Sequence, residues 1–336
     1  MLKKPHNTPP PIQTNTSNDF AHNTMTNRIP QIIIDIIENN PDYADSIKAD
    51  LESLRKSILN DTSIPMLDDL VPDFDSWKPL FDIHTDTTWL DTVWFFAETF
   101  MYRQIIEATR WWETRRDPFA PDKDKEYNSE ALWELLDQAF EINGNPDERL
   151  AQLLKLSMWG NRIDLSFEAS MQQGTMTNDD DLLVDDTEHA IRQIIDGDGS
   201  VHLIADNAGT ELTMDLMVID ALLKQVNDAP IVLHLKMHPT FVSDATPTDV
   251  MHFLDILDER GGEYGKLAAR LREALYAKRL RLIPHLFWNS GYFLWDLPAH
   301  MVRVFESARL VIIKGDANYR RMLGDALWQP ETPFAD

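Results

Sequence analysis

The sequence of 336 residues predicts an α/β protein in which a helical first half is followed by a domain with a mainly parallel sheet. From Arg28 to about Leu156 the apolar residues recur mostly at helical spacing. After Ser200 they form short apolar runs separated by helical stretches, an alternation typical of parallel strands joined by helices. The length suggests two domains of about 100 to 200 residues each, and 43% hydrophobic residues suffice for a buried core.

The first half carries two clear helical signals. Isoleucines within residues 32–37 form a stripe on one helix face, because they recur at i and i+4 positions. Residues 94–106 are rich in aromatic side chains and apolar around much of the helix, as expected for a helix packed on several sides. Glu98 and Arg103 are the charged residues within this segment.

Composition suggests where the domains begin and end. Residues 1–19 are rich in proline, asparagine and threonine, lack the apolar segment of a signal peptide, and are expected to form a mobile tail. The helical domain is expected at residues 20–190 and the α/β domain at residues 191–336. An acidic linker is expected near residues 174–188, and it is interpreted as a solvated loop because the spacing of a calcium-binding loop is missing.

Four short apolar runs predict the strands of the sheet. They are residues 202–205, 231–235, 280–287 and 310–313. Apolar residues within 211–224 recur at helical spacing, so Asp206 and Asn207 fall in the turn between the first strand and a helix. This turn is a candidate site, because ligands of parallel α/β sheets bind beyond the carboxyl ends of the strands.

Three apolar runs of the second half end in polar clusters built around an aspartate. The clusters are residues 205–211, 242–244 and 314–320. Aspartate and asparagine also favour turns and helix caps, so each cluster taken alone has a structural explanation. The repetition favours function, because Asp206, Asn207 and Asp244 together make an incomplete all-oxygen ligand set suited to Mg²⁺ or Mn²⁺. The chain contains no cysteine, and the lack of thiolates argues against zinc.

Three cations accompany these clusters: Lys236 and Lys314 at the ends of strands, and Arg320 in the third cluster. In so acidic a chain they are natural partners for a phosphoryl group, and ordinary salt bridges are the equal alternative. Neither a P-loop nor a GxGxxG fingerprint is present, which disfavours the nucleotide folds that use them.

Charge and hydropathy argue against two kinds of partner. The formal net charge is −25, and no basic stripe offsets it, so nucleic acid is not expected as a partner. No apolar run approaches the ~20 residues that span a bilayer, so a membrane is not expected either. Zero cysteines are compatible with reducing surroundings, and a cytoplasmic location is expected.

A further signal is similarity to a known family. The residues that carry it are Phe20-Ala21, Thr24, Arg28-Ile29-Pro30, residues 94–103 and 159–166, and the three polar clusters. Over roughly residues 20–330 the sequence resembles the DUF89 family, specifically the ARMT1-like damage-control phosphatases, a group of metal-dependent sugar-phosphate phosphatases. The resemblance implies a helical amino-terminal domain followed by a Rossmann-like α/β/α domain with a mainly parallel sheet.

The resemblance also implies roles for individual residues. Asp206, Asn207 and Asp244 would be the catalytic metal ligands, for Mn²⁺ or Mg²⁺, with Ni²⁺ or Co²⁺ as alternatives. The substrate-binding residues would be Glu211, Lys236, Asp316, Asn318, Tyr319, Arg320, Glu98 and Asn161. For Asn161 a buried turn amide is the equal alternative.

Two departures from the family pattern bear on activity. Thr240 stands where family members usually have an aromatic residue. The family also carries an Arg-Thr-x-Lys motif further along, whose lysine helps to bind the substrate phosphate, and the sequence reaches Asp336 without it. We therefore expect either a fragment of a longer chain or a changed phosphate pocket.

These observations lead to one main hypothesis and two alternatives. The main hypothesis is metal-dependent hydrolysis of small sugar phosphates such as fructose 1-phosphate or fructose 6-phosphate, as the resemblance implies. One alternative is carboxyl methylation of protein glutamates with S-adenosylmethionine, an activity also attributed to this family. The other is a noncatalytic protein that binds a metal or a sugar phosphate.

Overall fold

A computed structural model describes residues 3–171, 184–226 and 229–332, with the helical backbone alone at residues 159–171. Its sheet has four parallel strands in the order β3-β2-β1-β4. The strands are β1 (Val201–Ile204), β2 (Ile231–Lys236), β3 (Leu280–His285) and β4 (Leu310–Ile313). The parallel sheet predicted from the apolar runs is therefore confirmed.

Helices make up most of the remaining described chain. In the first half they are α1 (Asp19–Asn23), a π-helical turn (Thr24–Arg28), α2 (Ile29–Asn39), α3 (Asp45–Leu59), α4 (Phe74–Ile83), α5 (Trp94–Ala108), α6 (Trp111–Thr114), α7 (Ala120–Tyr127), α8 (Glu130–Glu141) and α9 (Pro146–Met171). In the second half they are α10 (Thr187–Asp196), α11 (Thr210–Gln225), α12 (Pro247–Arg260), α13 (Gly262–Tyr276), α14 (Ala299–Glu306) and α15 (Asp316–Leu323). Among the described residues, no helix is long and apolar enough to cross a membrane.

Helices cover both faces of the sheet. Side chains along a strand point alternately to its two faces, so each face has apolar residues that need a partner. Val201 and Leu203 join a large core that includes residues of α8, α11 and α13. Ile204 joins a smaller core on the other face, formed with Trp288 and residues of α14. The α/β/α arrangement expected of the second domain is thus confirmed.

The hydrophobic cores divide the chain at a different place from the predicted boundary at residue 190. One core is built from residues between Ala21 and Phe119. The core under the sheet begins with Tyr127 and includes residues of α8 and α9. Residue 190 itself lies inside α10. The later helices of the first half therefore pack with the sheet, because their apolar faces complete its core.

Two local predictions need correction. The expected mobile tail at residues 1–19 is partly bonded into the fold: Ile12 N–H donates to Asp325 O at 2.8 Å, and the fully buried Thr14 donates to Thr92 O at 2.9 Å. The strand predicted at residues 280–287 ends at His285, because its Nδ1 accepts the Phe287 N–H and a 3₁₀ turn follows. Of the predicted linker, residues 174–183 lie outside the described residues.

Candidate active site

The first two polar clusters are joined by main-chain hydrogen bonds at the carboxyl edge of the sheet. Ala245 N–H donates to Asp206 O at 2.7 Å, and Ala208 N–H donates to Ser243 O at 2.6 Å. Asn207 and Asp244 face each other in an isolated antiparallel bridge. The three predicted metal ligands therefore lie on two loops that are fixed against each other.

The loop that delivers Asp244 has an unusual backbone. Phe241 and Val242 both adopt positive φ angles, of 48° and 69°. This region is unfavourable for a bulky or β-branched residue, and such strain costs about 1–3 kcal/mol per residue. The two residues turn the chain so that Asp244 returns beside Asp206. No local signal predicts this turn, because neither residue is glycine or asparagine.

The two aspartates of the predicted ligand set are almost fully buried, and Asn207 is partly buried. Asp206 and Asp244 are each 1% exposed, and Oδ1 of Asp206 has no hydrogen-bond partner among the described residues. Asn207 Oδ1 accepts from Ser243 Oγ at 2.6 Å, while its amide donates to Glu211 Oε1 at 2.7 Å. An unpartnered buried carboxylate oxygen beside a second carboxylate fits a bound cation, which would supply the missing charge and contact.

The electrostatics of these carboxylates support the same conclusion. Burial, with the nearby Asp244 carboxylate, raises the pKa of Asp206 well above its ordinary value. Burial also raises the pKa of Asp244, and it raises the pKa of Glu211 to about 7. The raised pKa values mean that ionised carboxylates are unfavourable in this site, and a bound cation would offset that unfavourable free energy. Within the described residues, no three His, Cys, Asp or Glu side chains already form a metal-binding group, and the predicted set relies on the Asn207 amide.

Lys236 lies inside this acidic centre. Its side chain is 1% exposed, and Nζ lies 2.8 Å from Asp244 Oδ2 as an ion pair. Lys314 pairs mainly with a residue outside the polar clusters: its Nζ lies 2.6 Å from Asp215 Oδ1, but 3.9 Å from Glu211 Oε2. For Lys314 the salt-bridge alternative therefore describes the structure.

The third cluster touches the first through its backbone. Gly315 has a φ of +86°, and a β-carbon built there would lie 1.9 Å from Asp206 Cγ. The Asn318 amide donates to Ala205 O at 3.1 Å and to Lys314 O at 2.9 Å, so this side chain joins two loops. Asp316 is exposed and Tyr319 is 50% exposed, which places both on the open side of the cluster.

Arg320 and Glu98 are paired with each other. Arg320 Nη1 donates to Glu98 Oε2 at 2.7 Å, and its Nε donates to Asp325 Oδ1 at 2.8 Å. The guanidinium also lies 4.0 Å from the centroid of the Trp94 ring. Burial opposes its charge, but the Glu98 and Asp325 carboxylates outweigh burial and raise the pKa of Arg320. The salt-bridge alternative therefore applies to Arg320 as well.

Two charged residues near the site were not predicted. Arg321 is fully buried, donates to Trp288 O at 3.1 Å, and has its pKa lowered to about 9 by burial. Lys123 donates to the main-chain oxygen of Asp244 at 3.1 Å. Neither carries a local sequence signal, since Lys123 meets Asp244 across 121 positions of the chain. The predicted Asn161 lies in α9 where side chains are outside the described residues.

Comparisons with known proteins address the family directly. The model of the damage-control phosphatase ARMT1-like domain matches residues 24–335. The chain belongs to this family. The ARMT1-like assignment confirms the resemblance inferred from the sequence and supports the phosphatase class.

Individual relatives are distant but are matched along most of their length. The damage-control phosphatase ARMT1 of Danio rerio is 25% identical, over 97% of this chain and 85% of that protein. The Homo sapiens protein of the same name is 26% identical, over 94% of this chain and 84% of that protein. These matches do not favour the alternative of carboxyl methylation.

A solved structure shares the fold. A DUF89 family protein from Pyrococcus horikoshii aligns with a TM-score of 0.51 and 16% sequence identity, covering 89% of this chain and 85% of that chain. At this identity the likeness concerns the fold alone. It agrees with the helical and α/β parts of this ARMT1-like protein.

Proposed function

We propose that this ARMT1-like protein is a metal-dependent phosphatase of small sugar phosphates such as fructose 1-phosphate and fructose 6-phosphate. The observation that carries the proposal is the buried Oδ1 of Asp206, which has no hydrogen-bond partner among the described residues and lies where Asn207 and Asp244 converge. Asp206, Asn207 and Asp244 would hold Mn²⁺ or Mg²⁺, with Ni²⁺ or Co²⁺ as alternatives. When bound, such a metal supplies Lewis acidity toward a phosphoryl oxygen and activates water.

The chain's own residues would do the rest. Lys236 is positioned to stabilise negative charge that develops on the phosphoryl group, because it lies in a water-poor site where such contacts are strong. Lys236 pairs with Asp244 in the metal-free protein, and its ammonium group would be available to the phosphate once that carboxylate held a cation. Arg320 would contribute positive charge from the Trp94 side, although Glu98 and Asp325 already neutralise much of it.

The exposed rim of the site, formed by Asp316 and Tyr319, suits the sugar rather than the phosphate. Asp316 and Tyr319 lie on the open side of the third cluster. A carboxylate and a phenol are good hydrogen-bond partners for hydroxyl groups. A carboxylate would repel a phosphate dianion, so we assign the phosphoryl group to the Lys236 side and the polyol to the rim. Glu211 would contact the substrate from between them.

Phosphate release from fructose 1-phosphate, fructose 6-phosphate and an aryl phosphate tests the proposal. Each substrate is incubated with Mn²⁺, Mg²⁺ or chelator, for the wild type and for Asp206→Ala. Metal-dependent release that is lost in the variant is expected. Release that persists in Asp206→Ala would refute the ligand assignment, and binding of Mn²⁺ without turnover would support the noncatalytic alternative. The cytoplasmic location and the lack of nucleic-acid or membrane partners stay predictions.

A further inference from the structure

Helix α7 runs beside both loops that carry the proposed metal ligands. Lys123 and Glu126 are one helical turn apart on it, a spacing that places them on the same face. A cavity of about 390 Å³ lies between part of this helix and the Asp244 loop, and its lining includes Lys123, Glu126 and Ser243. On this side of the helix, the charged side chains of Lys123 and Glu126 face the loops.

Lys123 connects α7 to the Asp244 loop. Lys123 is 3% exposed, and its ammonium group donates three hydrogen bonds. The acceptors are Asp117 Oδ2 at 2.8 Å, Asp249 Oδ2 at 2.9 Å and the main-chain oxygen of Asp244 at 3.1 Å. Asp249 in turn accepts from Thr246 N at 2.8 Å in the capping box of α12. One buried cation thus holds both ends of residues 244–249.

Glu126 connects the same helix to the turn after Asn207. Its carboxylate accepts the N–H of Thr210, the first residue of α11. The fit is close: a β-carbon built on Gly209, whose φ is +66°, would lie 2.0 Å from Glu126 Cδ. A carboxylate at the N-terminus of this 16-residue helix is also favoured by the helix dipole. Glu126 thereby fixes where α11 begins and where Asn207 lies.

We infer that α7 is a bracket, with Lys123 and Glu126 as positioning residues that set the distance between the Asp206–Asn207 turn and the Asp244 loop. The inference rests on the proposed function in so far as those loops carry a metal. Neither side chain hydrogen-bonds a ligand carboxylate: Lys123 donates to the main-chain oxygen of Asp244, and Glu126 accepts a main-chain N–H. Against the larger effect of burial, the positive charge of Lys123 also lowers the pKa of the Asp244 carboxylate, and Lys123→Arg keeps that charge. The positioning effect on a metal would therefore be indirect.

The test compares Lys123→Met, Lys123→Arg and Glu126→Gln with Asp220→Asn. Asp220 is itself buried and forms ion pairs with the partly exposed Arg270 and Lys224, at the other end of α11 from the site, so its loss reports destabilisation without touching the bracket. For Lys123→Met, Mn²⁺ affinity measured by calorimetry is expected to fall about 10-fold to 100-fold, as for other residues that orient metal ligands. Lys123→Arg should recover part of that loss, and Asp220→Asn should bind Mn²⁺ like the wild type.

Hydrogen exchange of residues 240–246 without metal provides a second readout. Faster exchange in Lys123→Met than in Asp220→Asn supports the bracket. This readout does not depend on the metal: if the wild-type protein neither binds Mn²⁺ nor releases phosphate, the proposed function is refuted but the bracket is not. Unchanged exchange in both Lys123→Met and Glu126→Gln would overturn the bracket, whatever the phosphatase assay shows. If Lys123→Met does not fold, the same hydrogen-exchange measurement is made on Gly209→Ala, with Gly261→Ala as its control. Both glycines have a positive φ, and only Gly209 faces Glu126.

Discussion

The backbone of Gly315 lies directly against the carboxylate of Asp206, so that a β-carbon at position 315 would come within 1.9 Å of Asp206 Cγ. The third polar cluster therefore contributes to the site partly by leaving space. A side chain at Gly315 must displace either the Asp206 carboxylate or the Gly315 backbone. Displacement of the carboxylate alters the geometry of the proposed ligand set without removing a ligand.

Gly315→Ala is expected to lower kcat by about 100-fold, because a shift of about 1 Å at a reacting group has an effect of that size. Gly261→Ala is the matched control, since its φ of +69° carries similar backbone strain while nothing lies within 4 Å of the new β-carbon. Steady-state phosphate release from both variants checks this. Equal activity of the two would show that position 315 accepts a β-carbon without consequence for Asp206.

Asp206→Asn is expected to stabilise the metal-free protein at neutral pH. The pKa of Asp206 is raised by burial, so its contribution to stability is complete below the ordinary carboxyl pKa of 3.8 and is lost as pH rises through the higher folded value. Asparagine carries no charge and avoids that loss. Thermal unfolding in chelator should show a higher Tm for the variant at neutral pH and a vanishing difference in acid.

The same thermal unfolding is also measured with Mn²⁺ in place of chelator. Mn²⁺ should raise the Tm of the wild type, because binding to the folded state alone stabilises that state. It should leave Asp206→Asn nearly unchanged. An equal Mn²⁺ shift in both proteins would place the metal elsewhere.

The histidine pair on the sheet predicts a loss of stability in acid. His202 Nδ1 and His234 Nε2 are 2.8 Å apart, and burial lowers the pKa of His202 to about 4 and that of His234 to about 3. Stability that depends on the neutral rings is present above the ordinary pKa of 6.5 and is lost as pH falls toward these values. Urea unfolding followed from neutral to acid pH should show this loss.

His234→Gln tests the assignment, since glutamine can accept or donate a hydrogen bond but does not take up a proton in this range. The variant should lose less stability than the wild type over the same fall in pH. An identical pH profile would assign the acid sensitivity to other groups.

A buried ion pair anchors the helical half. Arg103 and Asp73 side chains are both fully buried, and the guanidinium donates to the carboxylate at 2.6 and 2.7 Å. Asp73→Ala is expected to lower the free energy of unfolding by about 3–5 kcal/mol, because it leaves a buried charge without its main partner. Asp82→Ala is the control, since the Lys78–Asp82 pair is about half exposed and such pairs contribute ~0.5 kcal/mol. Urea titrations of both variants measure the difference.

The strands and the two loops of the site could be predicted because their signals are local. Short apolar runs identify β1, β2 and β4, and parallel strands bring their carboxyl ends to one edge. The ion pairing of Arg320 with Glu98 spans 222 positions, and nothing near either residue indicates it. The bonding of Ile12 to Asp325 was missed for the same reason, since composition suggested a tail and the partner lies far along the chain.

Lys236 offers the sharpest separation between holding a metal and stabilising charge on the substrate. Its ammonium group lies 2.8 Å from Asp244, so in metal-free protein it neutralises the carboxylate that a cation would need. Lys236→Met removes this competitor, and Mn²⁺ affinity should therefore be unchanged or higher. The same variant lacks the donor assigned to the phosphoryl group, and kcat should fall by about 100-fold to 1,000-fold, as on removal of a charge-stabilising donor. Mn²⁺ calorimetry and steady-state kinetics on one preparation distinguish the two effects. A parallel loss of both would instead make Lys236 a structural support of the Asp244 loop.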